Sequence, residues 1–216
     1  MFTEDQKKWI ILQNVVFTDE KWFFLRPHPN KQNTRVWSSS NPFRYDDCVK
    51  QGAEKVMCFV AIVAGKILPP IWFPPGTSIN SDKYLEILRD LVWPEIQKIP
   101  GHQRFYYQQD GAPCHCAKKC LEFLSEKFKG KVISRRSSRP WPAHSPDLSP
   151  LDIWFWGEMD EVIRQRQPET LEHLKEIVEE AAEAKSADEV IKATSSVRKR
   201  AILCVKNHGG HFEAEC

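Results

Sequence analysis

Apolar and polar positions alternate along this chain with two different periods, and the switches between them mark out its elements. Residues 14–17 form a Val- and Phe-rich run that ends at Thr18-Asp19-Glu20 and reads as a buried strand; the aromatic run 21–25 reads as a second. Residues 27–47 carry Pro, Asn and Ser and read as a long loop. Two apolar segments, 56–64 and 66–73, flank Gly65 and predict a hairpin, with Pro69-Pro70 and Pro74-Pro75 confining its second arm to a sheet edge or ending it early. Over 81–97 the period becomes helical, with Tyr84, Leu85, Leu88, Leu91 and Val92 on one face and Ser81 as the expected N-cap. A strand at 104–109, a helix at 117–128 and a short strand at 131–134 follow. Residues 137–150 are a proline-rich loop, and three helices follow: from Ser149 or Pro150 to about Gln167, over 169–184, and from Ala187 to about Cys204. The order of strands first, then helix, strand, helix, strand and helices, predicts a mixed α/β domain with an antiparallel front part and parallel additions.

The chain is long enough, at 216 residues with 41% hydrophobic, to bury a core as a single domain. Charge sharpens the picture through its distribution and not its sum, which is only +2. Between residues 118 and 140 eight basic residues oppose two acidic ones, whereas between 158 and 189 eleven acidic residues oppose four basic ones. Such a field suits an anionic partner at the middle of the chain, although two solvated helix faces would give the same counts. Seven scattered cysteines show no disulfide framework and read as reduced thiols of an intracellular protein. Cys114, Cys116 and Cys120 beside His115 lack a zinc-site spacing. The N-terminus has no signal-like apolar core, and the longest apolar run, 56–64, is too short to span a bilayer, so no membrane association is expected.

Two of the predicted strands end alike: VVFTD and FYYQQD each place an aspartate, Asp19 and Asp110, just past a buried run. If those strands are adjacent and parallel, the two carboxylates meet at the carboxyl edge of the sheet, where open α/β sheets bind ligands. Their repulsion is relieved by a divalent cation of the Mg²⁺ or Mn²⁺ type. Each aspartate could equally open a turn. Asp152 lies in the first turn of the helix beginning near Pro150, where it could be a third ligand or a capping residue three positions after Ser149.

TDEKWF, QDGAPCH and SPDLSPLDIWF, with a terminal GGHFE, resemble in order the signature segments of mariner-like DNA transposases, from Val15 to Glu213. The resemblance implies an RNase H-like mixed sheet flanked by helices, with the core over about 11–168 and a C-terminal helical part over about 169–216. It further implies a DDE/D active site in which Asp19, Asp110 and Asp152 are catalytic and hold two Mg²⁺ or Mn²⁺ ions, Asp19 bridging them, while Asp147 corresponds to a loop aspartate. The implied reaction is phosphodiester hydrolysis at transposon ends followed by attack of the 3′-hydroxyl on target DNA, in the nucleus, by a homodimer on double-stranded DNA. Arg135, Arg136 and Arg139 would then hold backbone phosphates. His115 would contact phosphate or orient a ligand, and Trp37 would stack on a flipped base or pack a partner subunit. Departures from the pattern mark a divergent branch: 41 residues separate Asp110 from Asp152, longer than is usual in mariner proper, and the second segment reads DGAPCH. The family's N-terminal helix-turn-helix region has no recognisable counterpart, so a catalytic domain without it is expected. The alternative is an idle, decayed or domesticated transposase domain that binds DNA or dimerises without cutting.

Overall fold

The computed structural model describes residues 12–25, 54–210 and 212. The loop expected at 27–47, Trp37 within it, and His211 and Glu213 of the terminal motif lie outside these residues. A six-stranded mixed sheet runs through the centre: β1 (Val15–Phe24), β2 (Lys55–Val63), β3 (Lys66–Ile67), β4 (Ile71–Phe73), β5 (Tyr106–Gln108) and β6 (Val132–Ile133). Its order is β3-β2-β1-β5-β6, with β4 also paired to β2. The front strands are antiparallel, and β5 and β6 add in parallel, as the order of apolar runs predicts.

One expectation fails. Residues 14–17 and 21–25 are not two strands, because β1 continues through Thr18-Asp19-Glu20 in an unbroken ladder with β2 from Phe17↔Ile62 to Phe24↔Lys55. The polar residues are tolerated because β5 pairs only with Val15–Phe17 on the other side. Beyond that point β1 is no longer sandwiched between two strands. The hairpin at Ala64-Gly65 has positive φ at both residues (51° and 75°), the geometry of a two-residue type I′ turn. A Cβ on Gly65 would also sit 3.2 Å from Ile191. The proline pair 69–70 splits the hairpin's second arm into the edge strands β3 and β4.

Side chains alternate along β1 and β2 and sort the core into two faces. Phe23, Val56, Cys58, Val60 and Ile62 pack against α4 (Trp156–Arg166), α5 (Leu171–Glu183) and Val190 of α6 (Ala187–Lys206). Val16, Phe59, Ala61 and Val63 pack against α1 (Ser81–Ile87), α2 (Trp93–Gln97) and α3 (Lys118–Lys127). The cap of α1 is Asn80, not Ser81: its carboxamide oxygen accepts from the N–H groups of Asp82 and Lys83 at 3.0 and 2.9 Å, which satisfies two orphan donors at once. A π-helical turn, Leu88–Val92, joins α1 to α2. Pro94 cannot donate to the carbonyl four residues back, and the wider turn absorbs the missing bond, with Trp93 N–H donating to Leu88 O instead. A second π-helical turn, Leu151–Phe155, leads into α4. It carries Asp152.

Candidate active site

The parallel pairing of β1 with β5 sets Phe17 opposite Gln108. Asp19 and Asp110 each follow two residues later, so both carboxylates sit at one level of the sheet's carboxyl edge, as the shared strand endings predict. The π-helical turn before α4 brings Asp152 to the same place, and all three line one cleft of roughly 330 Å³. Arg135, Gln108 and Ser149 also line it, and the loop from Trp141 to Pro146 forms its far wall. Asp147, in the 3-10 turn Pro146–Leu148, is not a lining residue; its carbonyl accepts from Arg200 at 3.2 Å. The capping role open to Asp152 is only half filled. Its N–H donates to Ser149 Oγ at 3.4 Å, while the N–H of Ser149 goes to Pro146 O and not to the Asp152 carboxylate. That carboxylate therefore remains available to the cleft.

Electrostatics distinguish the three acids. Burial, then the charge of Asp152, pushes the Asp19 carboxyl up to about 7. It does so against a hydrogen bond from Trp156 Nε1 to Asp19 Oδ2 at 2.7 Å. Asp152 is also raised, by burial and by Asp110, against the Ser149 hydroxyl and Lys21. Burial would lift Asp110 too, but N–H groups of His115 and Ala112 hold it below the usual carboxylate range. Both meet the same oxygen, Oδ1, at 2.5 and 3.0 Å.

His115 is 5% exposed and does not line the cleft. Its Nε2 faces Glu20 Oε1 at 3.1 Å and its Nδ1 faces Asp110, so both ring nitrogens are taken by carboxylates. Burial disfavours a charged imidazole, yet the bonds to Asp110, Cys114 and Glu20 hold it far above its ordinary range. Of the three arginines considered for phosphate, only Arg135 reaches the cleft. Its stem lies so close to Gly111 that a Cβ there would stand 2.9 Å from Arg135 Cδ. Arg139 turns away, donating to Gly130 O at 3.0 Å over the Tyr106 ring, and Arg136 is exposed outside the cleft lining. Reasoning from sequence did not single out Glu20, Gln108 or Trp156. Trp156 was findable, since it lies four residues after Asp152 on a helix and so on its side. Glu20 was not, because its partner is 95 residues away.

The donor set fits a hard divalent cation. Three carboxylates share one cleft, and two of them are raised by confinement and by like charge, a conflict that a cation removes. They are not drawn into a ready coordination shell: among the described residues no three His, Cys, Asp or Glu side chains cluster as metal ligands. Asp19 is engaged by Trp156 and Asp110 by His115, each through one oxygen. The five described cysteines, Cys114, Cys116 and Cys120 among them, are free thiols. No helix among the described residues is long and apolar enough to cross a membrane.

No family model matches the chain. A curated relative, the mariner Mos1 transposase of Drosophila mauritiana, is 25% identical over 96% of the chain, which spans 59% of the relative's length. The Mos1 catalytic domain superposes with a TM-score of 0.72 at 23% identity, covering 96% of this chain and 88% of that one. The Mos1 paired-end complex with Mg superposes at 0.77 and 24% identity, covering 94% of this chain and 57% of that one. The catalytic domain of Mos1 with Raltegravir and Mg superposes at 0.71 and 22% identity, covering 99% and 100%. The mixed sheet flanked by helices is thus RNase H-like, and the chain is a homologue of the Mos1 mariner transposase with the fold of its catalytic domain.

Proposed function

We propose that this chain is the catalytic domain of a cut-and-paste DNA transposase, hydrolysing phosphodiester bonds at transposon ends and joining the freed 3′-hydroxyl to target DNA. The observation that carries the reading is the meeting of Asp19, Asp110 and Asp152 in one cleft beside Arg135. Similarity to Mos1, which has been solved as a paired-end complex with Mn and as a strand transfer complex, supports it. Asp19, Asp110 and Asp152 would hold two Mg²⁺ or Mn²⁺ ions. When bound, such ions lower the pKa of an attacking water and stabilise charge on the scissile phosphate and leaving oxygen. The protein's own part is placement. Arg135 contacts a backbone phosphate without reading sequence, the wall from Trp141 to Pro146 limits the approach of the strand, and Trp156 and His115 fix one oxygen each of Asp19 and Asp110. The partner is double-stranded DNA, engaged by a homodimer in the nucleus.

The engagement of Asp19 and Asp110 by protein donors gives the idle-domain reading its one specific support. Crystals soaked in Mn²⁺, read by anomalous scattering, separate the two. Manganese among Asp19, Asp110 and Asp152 is the expected result, with Asp110→Asn abolishing both the peak and metal-dependent DNA nicking while the fold persists. Asp147→Asn should leave both intact. An accessible cleft that stays empty at millimolar Mn²⁺, or an Asp110→Asn protein that still nicks DNA, would overturn the catalytic reading.

A further inference from the structure

Glu20 follows Asp19 on β1, so the pleat sends it to the opposite face of the sheet, away from α4. There it is 13% exposed, with its Oε1 3.1 Å from His115 Nε2. The other ring nitrogen meets Asp110 Oδ1 at 2.5 Å, and the Ala112 N–H takes the same oxygen. Buried groups hold the ring's face and the His115 backbone. Tyr84 stacks on it with centroids 4.2 Å apart. Gln109 Nε2 donates to the His115 carbonyl at 2.8 Å and to Ser134 Oγ at 3.1 Å, while Gln109 Oε1 accepts from Tyr84 Oη at 2.8 Å. The imidazole is thus clamped in plane by two carboxylates and over its face by a tyrosine.

We propose that Glu20 is a positioning residue acting through His115: it fixes the ring so that Asp110 is pinned by Oδ1 in the orientation in which its carboxylate would hold the divalent cation. Metal-ligating carboxylates owe much of their affinity to outer partners of this sort. The proposal rests on the metal-dependent reading of the cleft. It gives a role to a half-buried acid beside Asp19 that does not line the cleft shared by the three aspartates: its work is on Asp110, reached through His115.

The test measures Mn²⁺ affinity by electron paramagnetic resonance in wild type, Glu20→Gln, Glu20→Ala, His115→Ala and the double variant. Imidazole N–H signals are recorded by NMR in the metal-free proteins as a readout separate from metal. Glu20→Ala and His115→Ala should each weaken Mn²⁺ binding about ten- to hundredfold. The double variant should be no weaker than His115→Ala alone, because one path has been cut twice. Glu20→Gln, whose amide oxygen can still accept from Nε2–H, should keep most of the affinity. Wild type and Glu20→Gln, which does not depend on the alanine variant folding, should show two slowly exchanging His115 N–H signals. Independent, multiplying losses in the double variant, full affinity in Glu20→Ala, or a single ring N–H in wild type would overturn the role of Glu20 while leaving the catalytic reading in place. Failure of wild type to bind Mn²⁺ would remove both.

Discussion

Asp19 and Glu20 are adjacent on one strand, similarly acidic and both partly buried, yet their surroundings are opposite. Asp19 faces α4, where it meets a second carboxylate, Asp152, and is partly relieved by the Trp156 indole N–H and a backbone N–H of Glu20. Glu20 faces the other way, where it meets the imidazole of His115, ahead of α3, and a third carboxylate also holds that ring. One face sets Asp19 against Asp152 with only partial relief from Trp156, Ser149 and Lys21; the other resolves its charge among Glu20, His115 and Asp110. Burial alone therefore does not locate a functional acid. Unresolved repulsion marks a candidate, because a ligand that settles the conflict gives a folded chain reason to keep it.

The largest effect that would break this contrast is a pH dependence of stability assigned to Asp19. Its carboxyl is raised from the ordinary 3.8 to about 7, so the folded chain favours the protonated form. The stability from that preference is complete below about pH 4 and is lost as pH rises through about 7. In metal-free protein, Asp19→Asn should be no more stable than wild type at pH 4 and should gain on it by about 2–4 kcal/mol by pH 8. Denaturant titrations across that range give the difference, with carboxylates that do not interact with Asp19 cancelling between the two proteins. Added Mg²⁺ at pH 8 should close the gap by stabilising wild type only. A difference that does not change with pH would mean that Asp19 feels no unresolved charge.

The opposite face predicts the opposite sign. Removing any member of a satisfied buried network leaves a partner stranded, so it destabilises at every pH. Tyr84→Phe removes the hydroxyl that donates to Gln109 Oε1 at 2.8 Å, with little change in shape. It should cost about 1–3 kcal/mol, uniformly from pH 5 to pH 8. A gain in stability above pH 7 would show that this face, too, stores repulsion.

How much of this was legible in the chain follows from the range of the interactions. The shared endings of two strands foretold that Asp19 and Asp110 would coincide, because parallel pairing turns equal distances past an apolar run into equal heights on the sheet. Gly65 foretold its hairpin and Pro69-Pro70 the broken edge, both through local backbone chemistry. The break placed at Thr18-Asp19-Glu20 was wrong because tertiary pairing with β2 overrides a polar stretch that by itself reads as a turn. Arg136 and Arg139 shared one basic run with Arg135, but a count of charges carries no direction, and only one of the three points into the cleft. His115 stands out as a lone histidine after Asp110, but nothing local in the chain ties it to Glu20, 95 residues earlier.

The smallest effect sharpens the Asp19 side. Among the described residues, Trp156 Nε1–H is the one side-chain donor that favours ionised Asp19, at 2.7 Å. A donor to a charged oxygen contributes about 1.5–3 kcal/mol, and favours the charged over the neutral form by some part of that. Trp156→Phe should therefore raise the Asp19 carboxyl by about one further pH unit, read from the carbon-13 shift of its side chain against pH. Because Trp156 is buried against Phe23 and Phe155, the substitution also removes packing volume and lowers stability at all pH values. Titration separates the two consequences: lost packing shifts the whole stability curve, whereas a lost donor moves the pH at which Asp19 ionises. A variant that is merely less stable, with the titration unmoved, would assign Trp156 to the core alone and leave the Asp19–Asp152 repulsion and burial to set the carboxyl by themselves.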